Sequence, residues 1–492
     1  MFAGGGVAQV NSVEPRIVPI RAVAGPPGVE TDDEVGLYEI RKKIYVRSVT
    51  GIFASWRVGL VIATQVVFYG LPWLYWNGRQ AVLFDLGARK FYIFGLVFWP
   101  QDVIYLTVLL ILSALSLFLF TAVAGRLWCG YACPQTVYTE IFLWIERKIE
   151  GDRQARMKLD AAPRSLEKFV KKALKHTAWI ALAIWTGYTF VGYFEPIRDL
   201  GVRTITWGLG GWETFWIVFY ALATYGNAGW MREQVCKYMC PYARFQSVMF
   251  DKDTLVIAYD RERGDPRGSR SKKVDPKLAG LGDCIDCSIC VQVCPTGIDI
   301  RKGLQYECIG CAACIDGCNQ VMDKMGYARG LIRYASENAL AHHASGTAMW
   351  RRIFRVRTLL YTAILLAVAT TAGVSLYLKN PLKMDVIRDR GALAREASPG
   401  IMENVYRIQI MNTDEKPRSF RLTAEGLPGL TVVDVAQPIE VGAAATRLLP
   451  LRLQMPAEAA APGPHKIEFV IEAVDDAKIA RREKSTFILP NP

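Results

Sequence analysis

Twelve cysteines occur in this chain, and all of them fall into four short clusters. Cys284, Cys287, Cys290 and Cys294 follow the spacing C-x-x-C-x-x-C-x-x-x-C and end at Pro295. Cys308, Cys311, Cys314 and Cys318 repeat it, with Asn319 in the place of the proline. Thiolates are soft, redox-competent ligands. In this spacing a short loop holds three corners of a [4Fe–4S] cube, while the fourth cysteine serves the other cube. Crossing the fourth ligands assigns one cluster to Cys284, Cys287, Cys290 and Cys318, and the other to Cys308, Cys311, Cys314 and Cys294. Paired zinc ribbons separate their C-x-x-C units by a dozen or more residues and give the evenly spaced third cysteine no role. The chemistry this block can do is electron transfer. Asn319 departs from the repeat and is expected to loosen the second turn.

The remaining four cysteines form two C-x-x-x-C-P pairs, Cys129/Cys133 before Pro134 and Cys236/Cys240 before Pro241, each with an arginine upstream, Arg126 and Arg232. An i, i+4 spacing on a helix puts both sulfurs on one face. Two such faces meeting would make a four-sulfur site suited to a further iron–sulfur cluster or to Cu(I), which thiolates select. Met239 adds a candidate thioether. Inert packing cysteines are the bland alternative, and spacing alone leaves these readings open. The four histidines, His176, His342, His343 and His465, do not sit within apolar spans as axial haem ligands would. No haem is expected.

The elements that must position these cysteines are membrane-spanning. The chain has 492 residues, 51 % of them apolar, too long for one domain and too apolar for an ordinary soluble enzyme. Five runs are long enough to cross a bilayer, at about 55–76, 102–124, 176–194, 212–230 and 358–378. The third and fourth are short and aromatic. A further apolar stretch at 91–100 is read as a re-entrant or interfacial piece, because Pro100 and Asp102 follow it. Asp102 and Glu195 fall at outer ends of spans, where an acid is well solvated, and receive no catalytic role.

The net charge of +13 is local rather than spread along a groove, so nucleic acid is not the expected partner. Basic residues crowd the segment before the first span (Arg41, Lys42, Lys43, Arg47), the 125–175 loop, and Arg351, Arg352, Arg355 and Arg357 before the last span. The positive-inside rule then puts the N-terminus and every cysteine in the cytoplasm, and the tail from 380 onward outside. Thiols on the reducing side read as ligands rather than disulfides. Residues 1–30 lack the apolar core of a signal peptide, and residues 1–35 read as a disordered cytoplasmic tail. In the C-terminal tail, Tyr406, Ile408 and Ile410 alternate with Arg407 and Gln409, and strand-like runs recur at 420–422, 431–435, 447–453 and 467–474, as in a β sandwich.

Taken in order, G-R-L-W-C-G-Y-A-C-P (125–134), Q-V-C-K-Y-M-C-P-Y-A-R-F-Q (234–246), Y-D-R-E-R-G-D-P-R-G (259–268) and the doubled cysteine motif resemble the FixG/CcoG (RdxA) family of polyferredoxin-like membrane proteins. The NapH-like and NosR-like proteins share the spans and clusters, but the β tail argues for FixG/CcoG. The resemblance implies a cupric reductase that supplies Cu(I) for assembly of a cbb3-type cytochrome c oxidase. Its partners would be the membrane, copper ions, a copper chaperone and oxidase subunits. The resemblance places copper chemistry on Cys129, Cys133, Cys236 and Cys240, and the two [4Fe–4S] clusters on the eight cysteines from Cys284 to Cys318. Two other readings are a quinol-linked electron-transfer subunit feeding a periplasmic reductase and a redox-sensing assembly scaffold. The electron donor is not specified, and a homodimer is one open arrangement.

The fold class expected is a multi-domain membrane protein. It comprises an all-α bundle of about five transmembrane helices, a cytoplasmic two-cluster ferredoxin-like insert and a C-terminal all-β immunoglobulin-like domain. Its expected segments are a disordered, basic cytoplasmic N-terminus (1–50), a four-helix transmembrane region with both C-x-x-x-C-P motifs (51–250), the ferredoxin-like domain (251–357), the fifth span (358–379) and the periplasmic domain (380–492).

Overall fold

Apolar runs become helices at Ile52–Trp73, Pro100–Ala124 and Val356–Tyr377 in the computed structural model, which describes residues 43–275, 278, 280–341, 354–389 and 394–490. Among the described residues, these three helices are long and apolar enough to cross a membrane. At 1.5 Å per residue each matches the hydrocarbon layer. Their outward Leu106, Leu109 and Leu366 are exposed, as lipid-facing side chains are. The other two expected runs are also helical. However, Leu166–Val191 begins with the lysines 168, 171, 172 and 175, and Gly211–Thr224 runs only 14 residues before passing into a π-helix, Tyr225–Met231.

Three local readings change. The expected disorder of residues 1–42, with Arg41 and Lys42, lies outside the described residues, as do His342, His343, Arg351 and Arg352. Residues 44–50, placed with that tail, are instead a strap tied to the cysteine block: Arg47 N–H donates to Gln292 C=O at 2.8 Å and Ser48 N–H to Asp152 at 3.0 Å. The 91–100 stretch is not re-entrant. It supplies two strands of an antiparallel meander, Val82–Asp85, Lys90–Ile93 and Leu96–Phe98, and Val97 and Trp99 are buried with Met411 of the C-terminal domain. Asp102 is not a solvated helix-end acid. It is 7 % exposed, accepts the Trp99 N–H at 3.0 Å, and binds Lys379 at 3.0 Å and Lys383 at 2.5 Å. This triad ties the head of one apolar helix to the exit of another.

The tail forms two antiparallel sheets. One runs in the order Thr431–Val433, Thr446–Pro456, Ile401–Asn412, Leu382–Arg388, with Arg395–Ser398 also pairing to Ile401–Asn412; the other runs Ile439–Val441, Arg418–Glu425, Gly463–Ala473, Ala480–Leu489. The alternation in 404–412 settles the facing, and Tyr406, Ile408 and Ile410 are fully buried against Phe420, Phe469 and Phe487. No cysteine lies in this domain, so packing alone closes it.

The cysteine block is built on a two-stranded ladder, Val256–Tyr259 against Ile332–Ala335, and on the helix Ala313–Met325. Cys318 lies inside that helix, where a proline would cost a backbone hydrogen bond. Asn319 fits there instead, and its Oδ1 accepts the Gly330 N–H at 3.0 Å, so the expected loosening is not observed. The first motif's short helix, Ile289–Gln292, ends before Cys294, which leaves room for Pro295.

Candidate iron–sulfur site

Each C-x-x-C-x-x-C loop turns through left-handed residues at the same two positions, Asp286 and Ser288 in the first, Gly310 (φ 69°) and Ala312 in the second. Alternating hand curls a loop so that its three cysteines face one centre. Gly310 meets the requirement without strain, since a glycine has no Cβ to clash at positive φ. Tyr334, from the ladder, donates its hydroxyl to the Gly310 carbonyl at 2.7 Å and fixes the curl.

The structure brings Cys284, Cys287, Cys290 and Cys318 around one cavity, walled by Ile289, Met322, Leu331 and Ile332. Cys294, Cys308, Cys311 and Cys314 line a second cavity, which Cys290 also borders. Burial pushes the Cys290, Cys308 and Cys318 thiols up to about 12, and the Cys314 thiol well above its ordinary value. Such thiols ionise only against a bound cation. Among the described residues, no three His, Cys, Asp or Glu side chains converge on a single ion. A mononuclear zinc site needs sulfurs about 2.3 Å from one centre. A cube spreads its four thiolates over four irons. Two dry cavities, each lined by at least four cysteines, therefore fit a polynuclear group.

The surroundings of the two quartets differ. Beside the first, Arg301 binds both Asp299 (2.7 Å) and Asp286, and Cys287 is exposed. The second is sealed on one side by the residue 44–50 strap, where Ile44 meets Gly297, and Cys294 Sγ lies 3.3 Å from the Thr296 hydroxyl.

The paired cysteines do not share helix faces, contrary to their i, i+4 spacing. Cys129 is in the short helix Leu127–Tyr131, but Cys133 is the extended residue before the helix Pro134–Glu150. Cys236 lies in the π-helix Val235–Met239, and Cys240 precedes the helix Pro241–Met249. The proline in each motif explains this, because it starts a new helix and drives the preceding residue extended. Both loops close alike: Cys133 N–H donates to Trp128 C=O at 3.0 Å, and Cys240 N–H to Val235 C=O at 2.8 Å. The two loops are neighbours. Cys129 and Cys236 feel each other's charge, as do Cys133 and Cys240. Burial lifts the Cys129 thiol to about 12 and the Cys236 thiol to about 11. Met239 is 57 % exposed and takes no part.

Cys129, Cys236 and Cys314 all pack against a buried cluster of Val293, Ile309, Cys311 and Ala313 that includes the second quartet's loop. The approach is backbone to backbone. A Cβ on Gly130 would stand 2.9 Å from both N and Cα of Cys311. Sequence reasoning missed Gly130, although a glycine between two ligand cysteines signals such a contact. It also missed Gln246, buried with its Oε1 accepting from Cys129 Sγ at 3.3 Å, for which the sequence offers no signal.

Comparison with known proteins agrees with this site. The family model for a 4Fe-4S dicluster domain matches residues 231–337, that for a 4Fe-4S binding domain matches 106–151, and that for the IG-like fold at the C-terminus of FixG matches 372–490. The nitrogen fixation protein FixG of Rhizobium meliloti is 36 % identical over 91 % of this chain and 90 % of its own length. Protein RdxA of Cereibacter sphaeroides is 39 % identical over 85 % of this chain and 91 % of its own. The ferredoxin-type protein NapH of Haemophilus influenzae is 26 % identical over only 38 % of this chain. The chain belongs to the FixG/RdxA family, as an iron–sulfur electron-transfer protein.

Proposed function

We propose that this protein carries electrons from a cytoplasmic donor to Cu(II) and releases Cu(I) for a copper chaperone and for assembly of a cbb3-type oxidase. In this reading Cys284, Cys287, Cys290 and Cys318 hold one [4Fe–4S] cluster, and Cys294, Cys308, Cys311 and Cys314 hold the other. When bound, these clusters supply single electrons, and each copper ion takes one: Cu2+ + e− → Cu+. Cys129, Cys133, Cys236 and Cys240 receive the copper, or hold a further cluster that passes the electron to it. Thiolates bind Cu(I) better than Cu(II), so the product is the better-held state and the reduction is favoured.

The observation that carries the reading is that Cys129 and Cys236 share one apolar cluster with Cys311 and Cys314. The remaining topology is proposed on the basic residues: five spans in the cytoplasmic membrane, the cysteines inside, and the β domain in the periplasm.

The test is anaerobic. Reduced protein is mixed with Cu(II) and a Cu(I) chelator, with Cys129→Ala/Cys236→Ala as the comparison at intact cluster content. The doubly substituted protein should form Cu(I) at least about tenfold more slowly, given that soft thiolate ligation selects the product. Reduction at the wild-type rate would remove the paired cysteines from the reaction. Quinol-dependent reduction of the clusters with no copper reduced would favour the quinol-linked reading.

A further inference from the structure

Arg126 and Arg232 precede the two C-x-x-x-C-P motifs, and the structure gives these counterparts opposite surroundings. Arg232 pairs with Glu146 at 3.0 Å and lies over the Trp179 ring. Arg126 is 6 % exposed and makes no ion pair among the described residues. Its Nη1 donates to the carbonyls of Tyr306 and Cys308, its Nη2 to that of Ala243, and its Nε has no partner. The charged neighbours it feels most are sulfurs: Cys129, Cys308, Cys236 and Cys240.

Two other arginines near the clusters are neutralised, and a third, Arg270, which donates to the Cys284 carbonyl, is only half-buried. Arg57, close to Cys311 and Cys294, binds Glu140, and Arg301, close to Cys290, binds Asp299 and Asp286. A guanidinium buried without an anion is costly, so its counter-charge must come from the surrounding thiolates, ionised by the group they hold.

We infer that Arg126 is the fixed counter-cation shared by the second quartet and the paired cysteines, holding the arriving electron at their junction. The inference rests on the reading that these cysteines bind a redox metal group. Reduction adds one electron and neither breaks a bond nor needs a proton, because the compensating positive charge is already in place. That charge favours the reduced state and raises the potential of the quartet at Cys294, Cys308, Cys311 and Cys314 above what its thiolates alone would set. Arg126 is a positioning residue, since it acts through the groups the sulfurs hold.

The experiment is an EPR-monitored potentiometric titration of the full chain, wild type against R126Q and R126K, with iron counted in each. In R126Q the reduction constant of the second quartet's cluster should fall at least about tenfold, about 59 mV for a one-electron couple, while the first quartet's stays put. R126K keeps the charge and should stay within about threefold, or about 28 mV on the same scale. An unchanged potential in R126Q with full iron would overturn the inference. So would an equal fall in R126K, which would assign the effect to the lost carbonyl contacts. Should R126Q lose iron, R126K decides: a near-wild-type potential supports the role of charge, and a tenfold fall refutes it. A wild-type protein without iron would instead sink the functional reading on which this one rests.

Discussion

The two cysteine quartets have the same loop geometry, with left-handed residues at matching positions, yet they face different worlds. The first shows Cys287 to solvent and keeps its arginine bound to two aspartates. The second lies near Cys129 and Cys236 and beside an arginine with no acid partner among the described residues. Identical ligands in a symmetric repeat therefore gain a direction from their neighbours alone. In the proposed relay, an electron arrives at the exposed quartet from a protein donor and leaves from the enclosed one towards the paired thiols.

Several perturbations should break or sharpen that contrast. The largest effect is expected from Gly130→Leu, because Cys311 backbone atoms occupy the space its side chain needs and cannot move cheaply. Overpacking costs about 1–3 kcal/mol, and it falls here on the loop of one quartet only. Iron content should drop from about eight to about four per chain, by the four-iron count of each cluster; retention of all the iron would show that the two loops are not interlocked.

Next comes Asp102→Asn, which leaves the half-buried Lys379 and Lys383 without their anion. Losing such part-exposed pairs costs about 1 kcal/mol. The expected readout is earlier proteolysis of the β domain with both cluster spectra unchanged. A spectral change would mean that the quartets sense the far side of the molecule. The smallest effect is expected from Arg301→Gln. Its charge is already cancelled, so the first quartet's potential should move less than the tenfold, or about 59 mV, expected of R126Q at the second. A larger shift would erase the distinction between the two arginines.

The fold was legible wherever the signal was local. Eight cysteines at fixed spacing encode a constraint that the loop must meet, and the period-2 run through Tyr406, Ile408 and Ile410 shows in its own residues which face is buried. Partners far along the chain were not legible. The 91–100 stretch pairs as strands because Met411 waits to cover Val97 and Trp99, and Asp102 is buried because Lys379 and Lys383 arrive nearly three hundred residues later. The paired cysteines failed differently. Their spacing suggested one helix face, but the proline in each motif outranked the spacing, and the first pair's loop meets the second quartet through Gly130 and the Cys311 backbone rather than through a helix face.

The most direct test of the relay compares Cys287→Ala with Cys311→Ala, each reduced by the small molecule dithionite and freed of the excess anaerobically before Cu(II) is added and its reduction followed. Dithionite needs no docking surface, so loss of the exposed quartet should leave copper reduction largely intact, whereas loss of the enclosed one should abolish it. Equal copper reduction by the two variants would contradict the direction assigned to the pair.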